Sequence, residues 1–163
     1  MEHLAMAWRL RSLPKPENKQ LSAFLCRAAD LAGLPRTDWE LEVLFVGDRA
    51  MARYNAEIVG HTGTTDVITL SYFEAECPVL PGETAVQLIV NPLAALREGE
   101  RRKNSDYATE LARYLIHGLL HATGRSDLDP KSRSSMRRSE LRILRHLASE
   151  NLFPAEIFPS KPL

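Results

Sequence analysis

A pattern of two histidines, a glycine and an aspartate constrains this chain of 163 residues more than any other feature of its sequence. His117 and His121 are four residues apart, and an α-helix of 3.6 residues per turn places such a pair on one face. Gly124 can adopt the left-handed conformation that ends a helix. The turn then delivers Asp127, so the pattern H-x-x-x-H-x-x-G-x-x-D predicts a helix, a reversal and three converging side chains.

These residue types at this spacing are typical of a metal site. Imidazole nitrogen and carboxylate oxygen both bind zinc, and three protein ligands leave a fourth position for water, as catalytic sites require. We predict one divalent metal ion, zinc in the first place, held by His117, His121 and Asp127. Two histidines and a carboxylate also bind non-haem iron, so the metal stays open. The alternative is a pair of ordinary surface or core histidines, because helical spacing alone is common.

The residue after the first histidine bears on the type of reaction. Metallopeptidases with two helical histidines place a glutamate there as general base, whereas this chain has Gly118. No other residue of the sequence is identifiable as a general base. A metallopeptidase of the H-x-x-x-H-x-x-G-x-x-D type is therefore the weaker alternative, and a glycine beside the metal suits a large substrate whose backbone approaches closely.

The periodicity of the remaining sequence predicts the fold class. Strands are predicted at residues 6–13, 39–46, 66–72 and 84–90. Helices are predicted at 19–32, 48–55, 92–100, 105–124 and 130–152, with Asn18, Asp48 and Ser105 as caps. The helices do not alternate strictly with the strands, which favours an α/β (α+β) fold: a single small domain with an about four-stranded mixed sheet packed with about five helices. Residues 1–153 form this domain, and the proline-containing tail 154–163 lies across its surface.

Composition and charge narrow the class of protein. Hydrophobic residues make up 44% and charged residues 26%, as in ordinary soluble domains, and no apolar run is long enough for a membrane span. Cys26 and Cys77 form no CxxC pair, so we expect a reducing, cytoplasmic location. The 21 basic and 21 acidic residues argue against nucleic-acid binding through bulk charge. Residues 125–145 are the exception, with seven basic and three acidic side chains, which by themselves favour a solvated helix face.

Residues 117–127, His-Gly-Leu-Leu-His-Ala-Thr-Gly-Arg-Ser-Asp, resemble the motif H-G-x-L-H-L-x-G-Y-D-H of the YbeY family of endoribonucleases, which mature ribosomal RNA. The loop and strand at 58–70 resemble a second family segment, and 81–84 resemble a third more faintly. Order and spacing agree from about Val43 to Leu147, so the resemblance covers most of the chain.

The resemblance implies a zinc-dependent, single-strand-preferring endoribonuclease in ribosomal RNA processing and ribosome biogenesis. Its expected partners are ribosomal RNA and the small ribosomal subunit, with no membrane and no organic cofactor. In this setting the basic stretch becomes one wall of an RNA groove, and its substrate-binding candidates are Arg125, Lys131 and Arg133. Candidates for the opposite wall are Thr64, Thr65 and Asp66.

Two positions depart from the family pattern. Asp127 stands where the family has its third histidine ligand, and its negative charge makes the ion a weaker Lewis acid. Val59 stands where the family usually has an arginine, and Arg113, four residues before His117, is the candidate to bind phosphate instead. A ribosome-biogenesis factor that binds metal but has lost catalysis is thus the second alternative.

Overall fold

Four strands form one mixed sheet in the computed structural model, which describes residues 3–73 and 79–160. The strands are β1 (His3–Trp8), β2 (Glu40–Phe45), β3 (Val67–Ser71) and β4 (Thr84–Val90). Their order in the sheet is β1-β2-β4-β3, in which β1, β2 and β4 are parallel and β3 is antiparallel to β4. The predicted mixed sheet of four strands is confirmed.

The first strand lies earlier in the chain than the sequence predicted. Its parallel register with β2 runs from His3 opposite Glu40 to Trp8 opposite Phe45, so β1 ends where β2 ends. The Trp8 ring then donates a hydrogen bond to the carbonyl of Leu13, whose side chain is buried. The prediction of a strand at 6–13 is wrong because the pairing partner, rather than local alternation, sets the length of an edge strand.

Within the described residues, six α-helices accompany the sheet, together with a π-helical turn at Asn55–Val59. They are α1 (Asn18–Ala32), α2 (Asp48–Tyr54), α3 (Pro92–Arg101), α4 (Tyr107–Ala122), α5 (Pro130–Ser149) and α6 (Pro154–Ile157). The predicted caps Asn18, Asp48 and Ser105 are wrong, since Glu17, Gly47 and Asp106 occupy those positions. The Asp106 carboxylate accepts from the backbone N–H of Thr109, which satisfies one of the free donors that begin α4.

One face of the central helix α4 is buried in the main core. Leu111, Leu115, Ile116 and Leu119 are fully buried in the main core, and they recur at the spacing of one helical face. α4 contacts the sheet through β3 and β4 and also contacts α1, α3, α5 and α6. The helix that carries the two histidines is therefore the best-anchored element of the fold. No helix in the described ranges is long and apolar enough to cross a membrane.

Two residues of the predicted surface tail are buried, whereas residues 161–163 lie outside the described residues. Ile157 and Phe158 are buried in the main core, and the Phe158 ring meets Phe24 edge to face at 5.7 Å. Prolines suggested an irregular tail, but two adjacent large apolar side chains gain several kilocalories per mole from burial, which draws this segment onto α1 and α4. The prediction of a surface tail is wrong for these two residues.

Candidate metal centre

The helix α4 and the turn after it bring the three predicted ligands together. The Nε2 atoms of His117 and His121 lie 2.9 Å apart. Asp127 places Oδ2 3.5 Å from Nε2 of His117 and Oδ1 3.7 Å from Nε2 of His121. One donor atom from each side chain lies within 4.8 Å of the other two, and all three side chains are half-buried. We call these three residues the metal centre.

Gly124 makes the reversal after α4 possible. Its φ of 84° lies in the left-handed region, which side chains disfavour. Its N–H donates to the carbonyl of His121 at 2.9 Å, and this bond closes the turn at the end of the helix. The chain then runs back over the last turn of α4, and Asp127 faces the two histidines.

Hydrogen bonds on the far side of each imidazole leave the Nε2 atoms free to bind a metal. Nδ1 of His121 lies 2.9 Å from the carbonyl oxygen of Arg125, and Nδ1 of His117 lies 2.7 Å from Oε1 of Glu140. Both oxygens accept, so in each neutral ring Nδ1 carries the hydrogen and Nε2 presents a lone pair. Two lone pairs and a carboxylate therefore converge with no donor between them.

A cation fits this donor set. Converging lone pairs and negative charge repel one another. A divalent ion between them attracts each donor and outweighs this repulsion. Tetrahedral zinc with bonds of about 2.0–2.1 Å separates its ligand atoms by about 3.3 Å. The separations of 2.9, 3.5 and 3.7 Å found here bracket that value. Small side-chain adjustments of His117, His121 and Asp127 are enough to hold the ion.

Glu140 of α5 is a candidate positioning residue that the sequence did not predict. Its side chain is 6% exposed, it bonds His117 at Oε1, and its Oε2 accepts from Arg113 at 3.1 Å. Such a carboxylate behind a ligating histidine fixes the orientation of the ring and raises its basicity. The position carries no local signal, because it lies 23 residues beyond His117 in the sequence.

This contact shifts the pKa of both partners. Burial lowers the pKa of His117, but the hydrogen bond and the negative charge of Glu140 raise it by more, so that it lies above the ordinary value. Burial raises the pKa of the Glu140 carboxyl, while His117 and Arg113 lower it by more, to below the ordinary value. Glu140 is therefore ionised at neutral pH, and it is a stable acceptor for Nδ1–H of His117.

Arg113 does not present a free guanidinium to the metal centre. It donates to both oxygens of Glu110 at 3.1 and 3.0 Å and to Glu140 at 3.1 Å. Glu110 is only 1% exposed, so two buried carboxylates neutralise this arginine. The role that the geometry gives Arg113 is to hold Glu140 in place behind His117.

Two depressions meet at the metal centre. The first, here called the α5 cavity, has a volume of about 150 Å³ and lies between α4 and α5; His117 and Asp127 border it together with Asp66, Arg133 and Arg137. The second, here called the β3 groove, follows the edge strand; its lining includes both histidines and Asn55, Val59, His61, Thr65, Thr69 and Ser71. A substrate can therefore approach the donor atoms from either side.

The loop predicted to form the wall opposite α5 lies beside the centre. Asp66 borders the α5 cavity, and Thr65 lines the β3 groove. The Thr64 hydroxyl instead accepts from the amide of Asn91, which is completely buried and also donates to Asp48. Thr64 thus fastens the loop to the fold, whereas Thr65 and Asp66 face the two depressions.

The three basic candidates occupy different places. Arg133 borders the α5 cavity, and Lys131 is exposed at the start of α5 outside the lining of the depressions described above. The guanidinium of Arg125 donates to the hydroxyls of Ser135 and Ser139, so it fastens the metal-binding turn to α5. Among these candidates Arg133 alone is placed to meet a substrate at the metal centre.

Gly118 faces the sheet and not the metal. A Cβ atom built there would lie 2.8 Å from Cδ2 of Leu88 and 3.1 Å from Oγ1 of Thr69. Thr69 also donates a hydrogen bond to the Gly118 carbonyl at 3.3 Å. The expectation that this glycine leaves room for a substrate is wrong, because the space is filled by the contact between helix and sheet. A side chain at this position would have to displace Leu88 and Thr69.

Two donors on α4 and a third on the turn after it, beside a mixed four-stranded sheet, define a small α+β protein with a potential metal centre. A family model described as Endoribonuclease YbeY matches residues 10–148. The chain belongs to the YbeY family, as its motifs predicted.

Individual relatives agree with this assignment. A protein of Chlorobium phaeovibrioides named Endoribonuclease YbeY is 35% identical over 109 residues, which are 67% of this chain and 69% of that protein. A protein of the same name from Parabacteroides distasonis is 29% identical over 138 residues, 85% of this chain and 91% of that protein. A solution structure of a Thermotoga maritima protein matches with a TM-score of 0.53 and 18% identity, covering 91% of this chain and 94% of that one. The last comparison supports the fold alone.

Proposed function

We propose that this protein is a zinc-dependent endoribonuclease that cleaves single-stranded ribosomal RNA. The observation that carries the proposal is the convergence of Nε2 of His117, Nε2 of His121 and a carboxylate oxygen of Asp127 at the meeting point of two depressions. Relatives named as endoribonucleases support RNA as the substrate. By the same family relation, we propose that it matures ribosomal RNA on the small ribosomal subunit in the cytoplasm.

The residues of the centre determine the electrostatics of catalysis. A bound divalent ion supplies Lewis-acid chemistry to a phosphodiester group. The histidines hold it as neutral ligands, whereas Asp127 compensates one of its two positive charges. The ion is consequently a weaker Lewis acid than one held by three histidines. Glu140 keeps the His117 ring fixed, so the donor atoms need little reorganisation when substrate binds.

Arg133 and Arg137 are the proposed phosphate-binding residues in place of Arg113. Both border the α5 cavity and are exposed, and within the described ranges neither is in an ion pair. A free guanidinium binds a phosphate through two parallel hydrogen bonds. Thr65 and Asp66 border the opposite side. The proposal therefore replaces Arg113 as the phosphate contact and keeps a site with two walls.

The experiment that tests this function measures RNA cleavage with controlled metal content. The protein is stripped with a chelator and reloaded with zinc, iron(II) or manganese, then incubated with a ribosomal RNA precursor and with single-stranded and duplex oligonucleotides. We expect cleavage of single strands that is lost on stripping and restored by zinc. Restoration by iron alone would change the proposed metal, and cleavage that is insensitive to stripping would contradict the proposed mechanism.

Two other functions give different results in the same experiment. Asp127 and Val59 favour a binding factor without turnover, since each weakens catalysis relative to the family pattern. That alternative predicts tight binding of zinc and RNA without cleavage. A metallopeptidase predicts cleavage of casein with zinc, which the packing of Gly118 against the sheet opposes.

Replacing Glu140 by glutamine is expected to lower the affinity for zinc by about 10- to 100-fold, the usual effect of losing a carboxylate behind a ligating histidine. Glutamine keeps the size and the hydrogen bond but removes the charge that raises the basicity of His117. The affinity is measured by competition with a chromophoric chelator. Glu150→Gln is the matched control, because Glu150 also pairs with an arginine, Arg27, but contacts no ligand. Equal zinc affinity in both variants would show that Glu140 does not act on the centre.

A further inference from the structure

The exposed side of α5 carries positive charge without neutralising partners. All six basic side chains of this helix are exposed: Lys131, Arg133, Arg137, Arg138, Arg142 and Arg145. In the part of the chain that the structure describes, none of them forms an ion pair. Glu140 is the sole acidic residue of the helix, and it is buried against His117 and Arg113. The chain as a whole is formally neutral, so this charge is local.

Several other arginines of the protein are compensated. Arg27 pairs with Glu150, Arg97 pairs with Asp48, and Arg101 and Arg102 share Glu98. Neighbouring like charges on one helix repel each other and do not stabilise the fold. A concentration of unpaired arginine on α5 therefore indicates an anionic partner.

The basic surface is continuous with the metal centre. Arg133 and Arg137, here called the cavity arginines, border the α5 cavity. Arg137 and Leu141 border the next depression along the helix, and Leu141 also borders the one after it. That last depression is lined by Arg138, Arg142 and Arg145, here called the outer arginines. At 1.5 Å per residue, the path from residue 133 to residue 145 is about 18 Å long.

The opposite approach to the centre has no such charge. The described residues that line the β3 groove include neither lysine nor arginine. An anionic polymer that reaches the metal is thus held strongly on the α5 side and weakly on the β3 side. Leu141, 48% exposed between the arginines, offers an apolar surface on which a base can pack.

We propose that α5 is a track for single-stranded RNA, along which the strand on one side of the scissile bond is bound through its phosphates. The cavity arginines bind next to the metal, and the outer arginines bind nucleotides further along. A repeating phosphate backbone matches a linear series of separate arginines that begins at a metal centre, whereas an acidic protein or a lipid surface requires no such continuity. The position of the scissile bond rests on the proposed function; the track itself does not.

The test compares two triple variants of the zinc-loaded full chain. Arg138→Gln/Arg142→Gln/Arg145→Gln removes the outer arginines. The matched control Arg9→Gln/Arg11→Gln/Lys19→Gln removes three exposed charges near the β1 edge of the sheet and the start of α1, away from the metal centre.

Binding of a fluorescent 12-nucleotide single-stranded RNA is measured by anisotropy over a range of KCl concentrations. Each phosphate contact contributes about 0.7 to the slope of log affinity against log salt, so the outer variant loses about 2 from this slope and at least about tenfold in affinity at low salt. The control keeps the slope within about 0.5.

Each other result counts against the track. An unchanged slope in the outer variant, or an equal loss in the control, would overturn it. The binding of phosphatidylserine vesicles and of polyglutamate is measured with the same variants. A larger loss of affinity for either of these than for RNA, on removal of the outer arginines, would also overturn the track. If the RNA slope falls as expected but no preparation cleaves RNA, the track stands and the proposed nuclease function fails. If RNA is cleaved and the slope does not change, the nuclease stands and the track fails.

Discussion

The double variant His117→Ala/His121→Ala is expected to retain no zinc and to cleave RNA at least about a thousandfold more slowly than the unaltered protein. Metal ions supply several kilocalories per mole of transition-state stabilisation, and each 1.36 kcal/mol corresponds to a factor of ten in rate. Removal of two of three donors leaves Asp127 alone, which cannot hold a divalent ion at micromolar concentration. Zinc content is measured by mass spectrometry, and cleavage is measured under single-turnover conditions.

Removal of His117 also takes a partner from buried Glu140, so loss of activity through misfolding must be separated from loss of the ion. The single variant His121→Ala keeps the buried contacts among Glu140, Arg113 and His117, because the far side of His121 bonds only a backbone carbonyl. It is expected to fold normally and still to lose zinc and cleavage. His3→Ala, which alters an exposed histidine on β1, is the control and is expected to change neither quantity. Full activity in His121→Ala would refute the assignment of the centre.

Replacing Gly99 by alanine is expected to lower the free energy of unfolding by about 2–3 kcal/mol. A Cβ atom at this position in α3 would lie 2.5 Å from the backbone nitrogen of Tyr107 and 2.6 Å from the carbonyl carbon of Asp106. Backbone at the start of α4 cannot move aside as a flexible side chain does, so the two helices must separate at overpacking costs of about 1–3 kcal/mol or more. Helix propensity alone predicts the opposite sign, a gain of about 1 kcal/mol for alanine.

Chemical denaturation measures this difference, and the sign decides which effect prevails. Gly47→Ala is the control, because a Cβ there meets only Cδ1 of Leu93 at an ordinary 3.6 Å. Gly47 is the cap residue before α2, and alanine at such a position lowers the free energy of unfolding by about 1 kcal/mol or less. A higher free energy of unfolding in Gly99→Ala would contradict the prediction, because it would show that α3 and α4 accommodate the added methyl group without strain. Zinc affinity should also fall in Gly99→Ala, since the strain acts on the helix that carries both histidines.

The candidate site was predictable from the sequence where its contacts are local. His117, His121 and Asp127 lie within eleven residues, and one helical turn followed by one reversal brings them together. The strand at 84–90 was also predicted within its observed bounds, because a short segment rich in β-branched and apolar residues favours a strand. The first strand was misplaced, since the length of an edge strand depends on its partner.

Contacts between elements that are distant in the sequence could not be predicted from it. Arg113 was predicted to bind phosphate, yet its guanidinium pairs with two buried carboxylates. Arg125 belongs to the predicted basic stretch, yet it binds serine hydroxyls of α5. The number and type of charges were visible in both cases. Whether a charge is free or paired depends on which side chain of another helix lies opposite.

The sequence by itself determined the three donors, the helix that aligns two of them and the glycine turn that returns the third. These follow from the 3.6-residue period and from the left-handed conformation open to glycine, which act over a few residues. The tertiary structure alone decided that Glu140 orients His117, that Gly118 serves the contact between helix and sheet, and that the arginines of α5 lead away from the metal centre. Packing sets these relations, because it chooses which faces of distant elements meet.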